Sequence, residues 1–113
     1  MKTIRLLHIN AKEQKFSILE IEKKLENFQA LVGGLIERGT TYGPLEVYVD
    51  EEGLFKKYAY GFELDGKIFV GNGFVVALNR SGNDFTSVQV DLEPIKRSIK
   101  FLVRDQNEEA QEG

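Results

Sequence analysis

The sequence contains no cysteine and no tryptophan, one histidine and two prolines. Without cysteine there is no disulfide and no thiolate site for zinc or redox chemistry, so a reducing compartment is the expected home. With His8 as its one imidazole, a transition-metal site would have to be built almost wholly from carboxylates, which is atypical for zinc. A serine–histidine–aspartate triad would also have to use His8, and no nucleophile-elbow pattern accompanies it. Flanked by Leu7 and Ile9 in a strand-like pattern, His8 reads as a structural or merely exposed residue. No run approaches the ~18 apolar residues of a transmembrane helix. The opening MKTIRLLHIN lacks the apolar core and cleavage pattern of a signal peptide. These absences point to a soluble, cytoplasmic protein with no catalytic residues, no metal and no cofactor.

Charge is present but unevenly spread. The net charge of −3 arises from 15 basic and 18 acidic residues in a chain of 113, a length suited to one domain. Four of the acids lie in the terminal DQNEEAQEG (105–113), leaving a body of 15 basic against 14 acidic residues. A polar tail without apolar anchors cannot offset its ordering entropy, so 105–113 is expected to be disordered and 1–104 to form the domain.

Patterning gives an α+β class, a mainly antiparallel sheet packed with two helices. Residues 2–9 are β-branched and aliphatic and read as a strand. Residues 16–21 carry both strand alternation and a Ser17/Glu20 capping-box spacing, and are read as strand to about 20. A helix over about 22–32 follows, with Leu25, Phe28 and Val32 as its apolar stripe and Gly33 and Gly34 as its stop. A short strand is expected over 35–38 and a loop over 39–44. In 45–49, Leu45, Val47 and Val49 fall on one face and Glu46 and Tyr48 on the other. Residues 50–53 read as a turn, 54–64 as an irregular aromatic segment with Gly61 as a possible bulge, and Asp65 with Gly66 as a two-residue hairpin turn. Strands over 67–70, 74–78 and 85–90 surround Gly71-Asn72-Gly73 and the turn RSGND. Asp91 then caps a second helix over about 92–103, with Ile95, Ile99, Leu102 and Val103 as its apolar face.

Four features compete as sites. Asp50-Glu51-Glu52 is the densest acidic cluster of the body. It lacks the spaced oxygens of a calcium loop, so it reads as a solvated hairpin tip. Gly71-Asn72-Gly73 resembles half of a phosphate loop, but strand rather than helix follows it, so it reads as a bend. Lys96, Arg97, Lys100 and Arg104 fall largely opposite the apolar face of the second helix, a stripe that could track a phosphate backbone. Basic residues in a helical last turn are also stabilised by the helix dipole. The aromatics Tyr42, Tyr48, Phe55, Tyr58, Tyr60 and Phe62 crowd one stretch, where exposed rings would mark an interaction surface and covered ones one more apolar layer or a wrapped core loop.

Three segments, LENFQALVGGLIE (25–37), VDEEGL (49–54) and VGNGFVV (70–76), follow one another in an order that resembles a family catalogued as domain of unknown function 3846. The likeness spans roughly residues 2–100. It is anchored at Leu25, Val32, Gly33, Gly34, Asp50, Glu51, Gly53, Gly71, Gly73 and Val75. Members are small proteins of phages, prophages and other mobile elements, and the family supplies no catalytic residues. It implies an accessory protein that binds and blocks a host protein, restriction and CRISPR machinery included. The stretch FKKYAYGFELDGK (55–67) departs from the family pattern. The expected partner surface is therefore Tyr48, Asp50, Glu51, Glu52, Phe55, Tyr58, Tyr60 and Phe62, with a host protein, such as a defence nuclease, as partner. A nucleic-acid-binding accessory role on the basic second helix is the alternative.

Overall fold

A computed structural model describes residues 2–103; Arg104 and the acidic segment 105–113 lie outside the described residues. The order is β1 (Thr3–Asn10), β2 (Lys15–Glu22), α1 (Leu25–Val32), β3 (Ile36–Tyr42), β4 (Leu45–Asp50), β5 (Tyr60–Leu64), β6 (Lys67–Val70), β7 (Gly73–Leu78), β8 (Phe85–Thr86), α2 (Glu93–Ser98) and β9 (Ile99–Val103). The larger sheet runs β2-β1-β7-β4-β3, with β8 paired to β7. The smaller runs β6-β5-β9. Every pairing between strands is antiparallel.

The larger sheet is apolar on both faces because its central strands alternate two apolar sets rather than one apolar and one polar. Leu7 and Ile9 of β1, Val47 and Val49 of β4 and Val75 of β7 point toward the small sheet. They meet Phe62 and Leu64 of β5, Ile95 of α2 and Ile99 of β9 there. On the opposite face, Ile4, Leu6, Phe74 and Val76 lie beneath Phe28 and Val32 of α1. Phe28 stacks on Phe74 with ring centroids 5.5 Å apart. His8 joins this layer by pairing its Nε2 with the Leu31 carbonyl oxygen at 3.0 Å. Burial lowers the His8 pKa and the Leu31 bond opposes it.

Several boundaries differ from those the sequence suggests. Residues 99–103 form β9, not the second half of a helix, and α2 ends at Ser98. Ile95, Ile99 and Leu102 fit a helical period, but Ile99, Phe101 and Val103 equally fit alternation. The open edge of β5 decides between them, because β9 pairs Ile99 with Leu64, Phe101 with Phe62 and Tyr60 with Val103. The proposed basic stripe is divided in consequence: Lys96 and Arg97 lie on α2 and Lys100 on β9. Helix α1 begins at Leu25 because β2 continues through Glu22, so the Ser17/Glu20 spacing sits inside a strand.

Strand β3 runs on to Tyr42 where the sequence suggests a loop, absorbing Gly39 through a register shift between Arg38 and Thr40. Gly39 leaves room there for the Phe69 ring, 2.6 Å from where a Cβ would stand. Gly61 pairs regularly with Val70 and Leu102 and is no bulge. The expected strand over 85–90 is confined to Phe85 and Thr86.

The Phe62 ring is fully buried between Phe69, at a centroid distance of 5.3 Å, and Gly73. Phe62→Ala is therefore expected to lower unfolding free energy by ~3–5 kcal/mol, the usual cost of emptying such a site. Urea unfolding followed by far-ultraviolet circular dichroism measures it; a change below ~1 kcal/mol would contradict this packing.

Candidate functional site

The segment between β4 and β5 is organised by one carboxylate. Asp50 ends β4 on the α1 face, and its side chain is wholly covered. Its Oδ1 accepts the Glu52 amide at 2.9 Å. Its Oδ2 accepts Lys56 Nζ at 2.7 Å and the Tyr58 hydroxyl at 3.2 Å. Lys56 Nζ also donates to the Gly33 carbonyl at 3.0 Å, tying the loop to the end of α1. Backbone bonds from Glu51 to Leu35, Gly53 to Asp50 and Lys56 to Glu52 complete the base. Burial pushes the Asp50 carboxyl up, but the bonds from Lys56, the Glu52 amide and Tyr58 together outweigh it and hold the pKa below its ordinary value. Asp50 is thus the anchor of this turn and not part of a solvated tip.

The glycines beside it are shaped by the same knot. A Cβ on Gly34 would stand 2.7 Å from Lys56 Nζ and 2.9 Å from Asp50 Oδ1, so a side chain there would have to displace the pair. Gly71 takes φ +96°, and the Tyr58 ring lies 3.2 Å from its would-be Cβ. Asn72 ties down another part of the fold. Its Oδ1 accepts the Ala11 amide at 2.8 Å and the Lys12 amide at 3.3 Å, holding the β1–β2 turn.

The expected partner residues separate into distinct groups. Glu51, Glu52 and Phe55 are exposed at the loop, Phe55 by 86 %. Leu54, 80 % exposed, stands beside them. Sequence reasoning passes over Leu54, although an apolar residue directly after a turn glycine is a usable signal. Tyr58 is half-buried because its hydroxyl serves Asp50, and Tyr60 packs against the inter-sheet core, their centroids 5.2 Å apart. Phe62 is fully buried and offers a partner nothing.

Tyr48 points into a separate cleft of about 800 Å³ between α1, β3 and the β7–β8 turn. Its ring stacks on Phe74 at 5.6 Å and meets Phe85 at 4.7 Å. Its hydroxyl donates to Glu46 Oε1 at 3.0 Å, and Arg38 Nη1 donates to Glu46 Oε2 at 3.3 Å. Burial, then the Glu46 hydrogen bond and charge, push the Tyr48 pKa up to about 12.

Of the basic residues, Lys96 pairs with Glu93 at 3.2 Å, Lys100 is exposed on β9, and Arg104 lies outside the described residues. Among the described residues, no group of three or more histidine, aspartate or glutamate side chains could hold a metal ion. No helix among them is long and apolar enough to cross a membrane.

Asp50→Asn removes the charge that gathers the loop and should cost roughly 2–3 kcal/mol, the scale of hydrogen bonds to a charged group. Because the folded pKa lies below the unfolded one, this stability is fully present above the unfolded carboxyl value near ~3.9 and is lost as pH falls through the folded value. Urea midpoints taken from pH 7 to pH 2 should therefore show a shallower acid limb in the variant; parallel curves would refute the assignment.

No curated protein and no solved structure matches the chain. A family model described as a domain of unknown function (DUF3846) matches residues 4–102. Its span takes in Asp50, the glycines that border it and every strand that positions them, and the chain belongs to this DUF3846 family.

Proposed function

We propose that this protein is a non-catalytic binding module that engages a protein partner through Leu54 and Phe55. The observation that carries this reading is their placement: two large apolar side chains, 80 % and 86 % exposed, on a loop fixed by Asp50, Lys56 and Tyr58. Apolar groups held rigidly in water bind with little further loss of conformational freedom, which is how preorganised contacts gain affinity. Glu51 and Glu52 precede them and the exposed Lys57 follows, so with Lys56 paired to Asp50 the exposed charges beside the anchors are two negative and one positive. The complementary partner is a protein offering an apolar socket rimmed by lysine or arginine.

Proteins that handle nucleic acid carry such basic surfaces, because they must neutralise phosphates. That chemistry favours a host defence nuclease as the target. The protein is then a phage or mobile-element inhibitor acting in the host cytoplasm, of anti-CRISPR or anti-restriction type. The nucleic-acid alternative gains no comparable support, since Lys96, Arg97 and Lys100 do not share one helical face.

Paired capture from host lysate, with mass spectrometry, compares the wild type with a Leu54→Ala, Phe55→Ala double variant. The variant should keep its unfolding free energy within about 0.5 kcal/mol, as surface changes do. It should also lose ~2 kcal/mol or more of binding per anchor. Retention of every captured partner by a folded double variant would end this reading.

A further inference from the structure

The cleft holding Tyr48 carries chemistry that a protein-binding loop does not use. We propose that it is a binding site for a ligand that joins a flat aromatic ring to a phosphate, a mononucleotide in its simplest form. Its volume, about 800 Å³, falls among small-molecule sites, which run to about 300–1,000 Å³. The accessible aromatic walls are Tyr48 and Phe85, both half-buried, with the buried Phe28 behind Phe85 at 5.1 Å. Such walls take a planar ring by stacking or by edge contact.

Polar groups define the rest of the ligand. Glu46 is only 7 % exposed, on a strand face whose neighbours Phe74 and Val76 on β7 are fully buried. Placing a carboxylate there is costly even when it is paired, and an apolar residue would fit the layer without that cost. Each Glu46 oxygen accepts one bond, from Tyr48 or from Arg38. An ionised carboxylate has about four acceptor positions, so capacity remains for the amino edge of a base. Arg38 is 61 % exposed and spends Nη1 on Glu46, leaving further guanidinium donors at the mouth.

Lys23 is paired with Asp84 at 2.5 Å and Arg38 with Glu46, so the net positive charge of the lining, in a chain whose net charge is −3, comes from Lys2. That local excess selects an anion, and a guanidinium fork suits phosphate above other anions. Stacking walls, an acceptor floor and a basic mouth together describe a nucleotide.

Isothermal titration calorimetry of the full chain tests this with adenosine, guanosine, cytidine and uridine monophosphates, and with adenosine and inorganic phosphate alone. At least one mononucleotide should bind saturably, and at least tenfold more tightly than adenosine or inorganic phosphate. Amide resonances of Arg38, Tyr48 and Phe85 should shift in the same titration. Arg38→Gln should weaken binding at least tenfold in a protein that still folds, and Arg38→Lys should restore part of it. Absence of saturable binding by all four mononucleotides at millimolar concentration overturns the assignment. So does inorganic phosphate binding as tightly as the nucleotide, or unchanged affinity in a folded Arg38→Gln variant.

Discussion

A single carboxylate, wholly covered by protein, holds the end of β4, the end of α1 and the start of the long loop in one place. Asp50 does this with two oxygens and three donors, and every donor comes from a different kind of group: an amide, an ammonium and a phenol. Lys56 and Tyr58 lie six and eight residues beyond Asp50, so matching its charge draws the loop back onto the end of β4. The neighbouring glycines make sense around this point. Gly34 faces Lys56 and Asp50, where a side chain would crowd the ion pair, while Gly33 and Gly71, both at positive φ, face the Tyr58 hydroxyl and ring.

Strand β4 divides the molecule's labour between its two faces. Leu45, Val47 and Val49 supply the inter-sheet core, where shape and area decide the energy. Glu46, Tyr48 and Asp50 supply the α1 face, where every polar atom must find a partner or cost free energy. Among the described residues no buried side-chain nitrogen or oxygen is left without a hydrogen bond. Two carboxylates on one short strand meet that demand in different ways. Asp50 spends its capacity on architecture, whereas Glu46 is bonded to one exposed arginine and one tyrosine beside an open cleft.

Much of the local structure is legible in the sequence because its causes are local. The alternation of β4, the Asp65-Gly66 turn with both residues at positive φ, and the left-handed Gly33 at the end of α1 all follow from a few neighbouring residues. Asp50 looks solvated in the sequence because its partners are reached through the loop, and no spacing rule links a strand-end aspartate to a tyrosine eight residues on. Residues 99–103 look helical for a related reason. Two periods fit them, and only the unpaired edge of β5, far away in sequence, chooses between the two. Alternation alone puts Tyr48 on the face opposite Val47 and Val49, where the structure has it. That α1, Phe74 and Phe85 cover that face is a tertiary fact the strand alone does not contain.

The pairing of β5 with both β6 and β9 also has a meaning in time. During synthesis, Tyr60–Leu64 leaves the ribosome well before Ile99–Val103, and β6 can cover only one of its edges. Until β9 emerges, Phe62 and Leu64 face an incomplete layer and one strand edge stands open, the state in which nascent chains associate wrongly. The last strand among the described residues is the one that seals the core, so the nascent chain must wait for β9 before the inter-sheet layer can close.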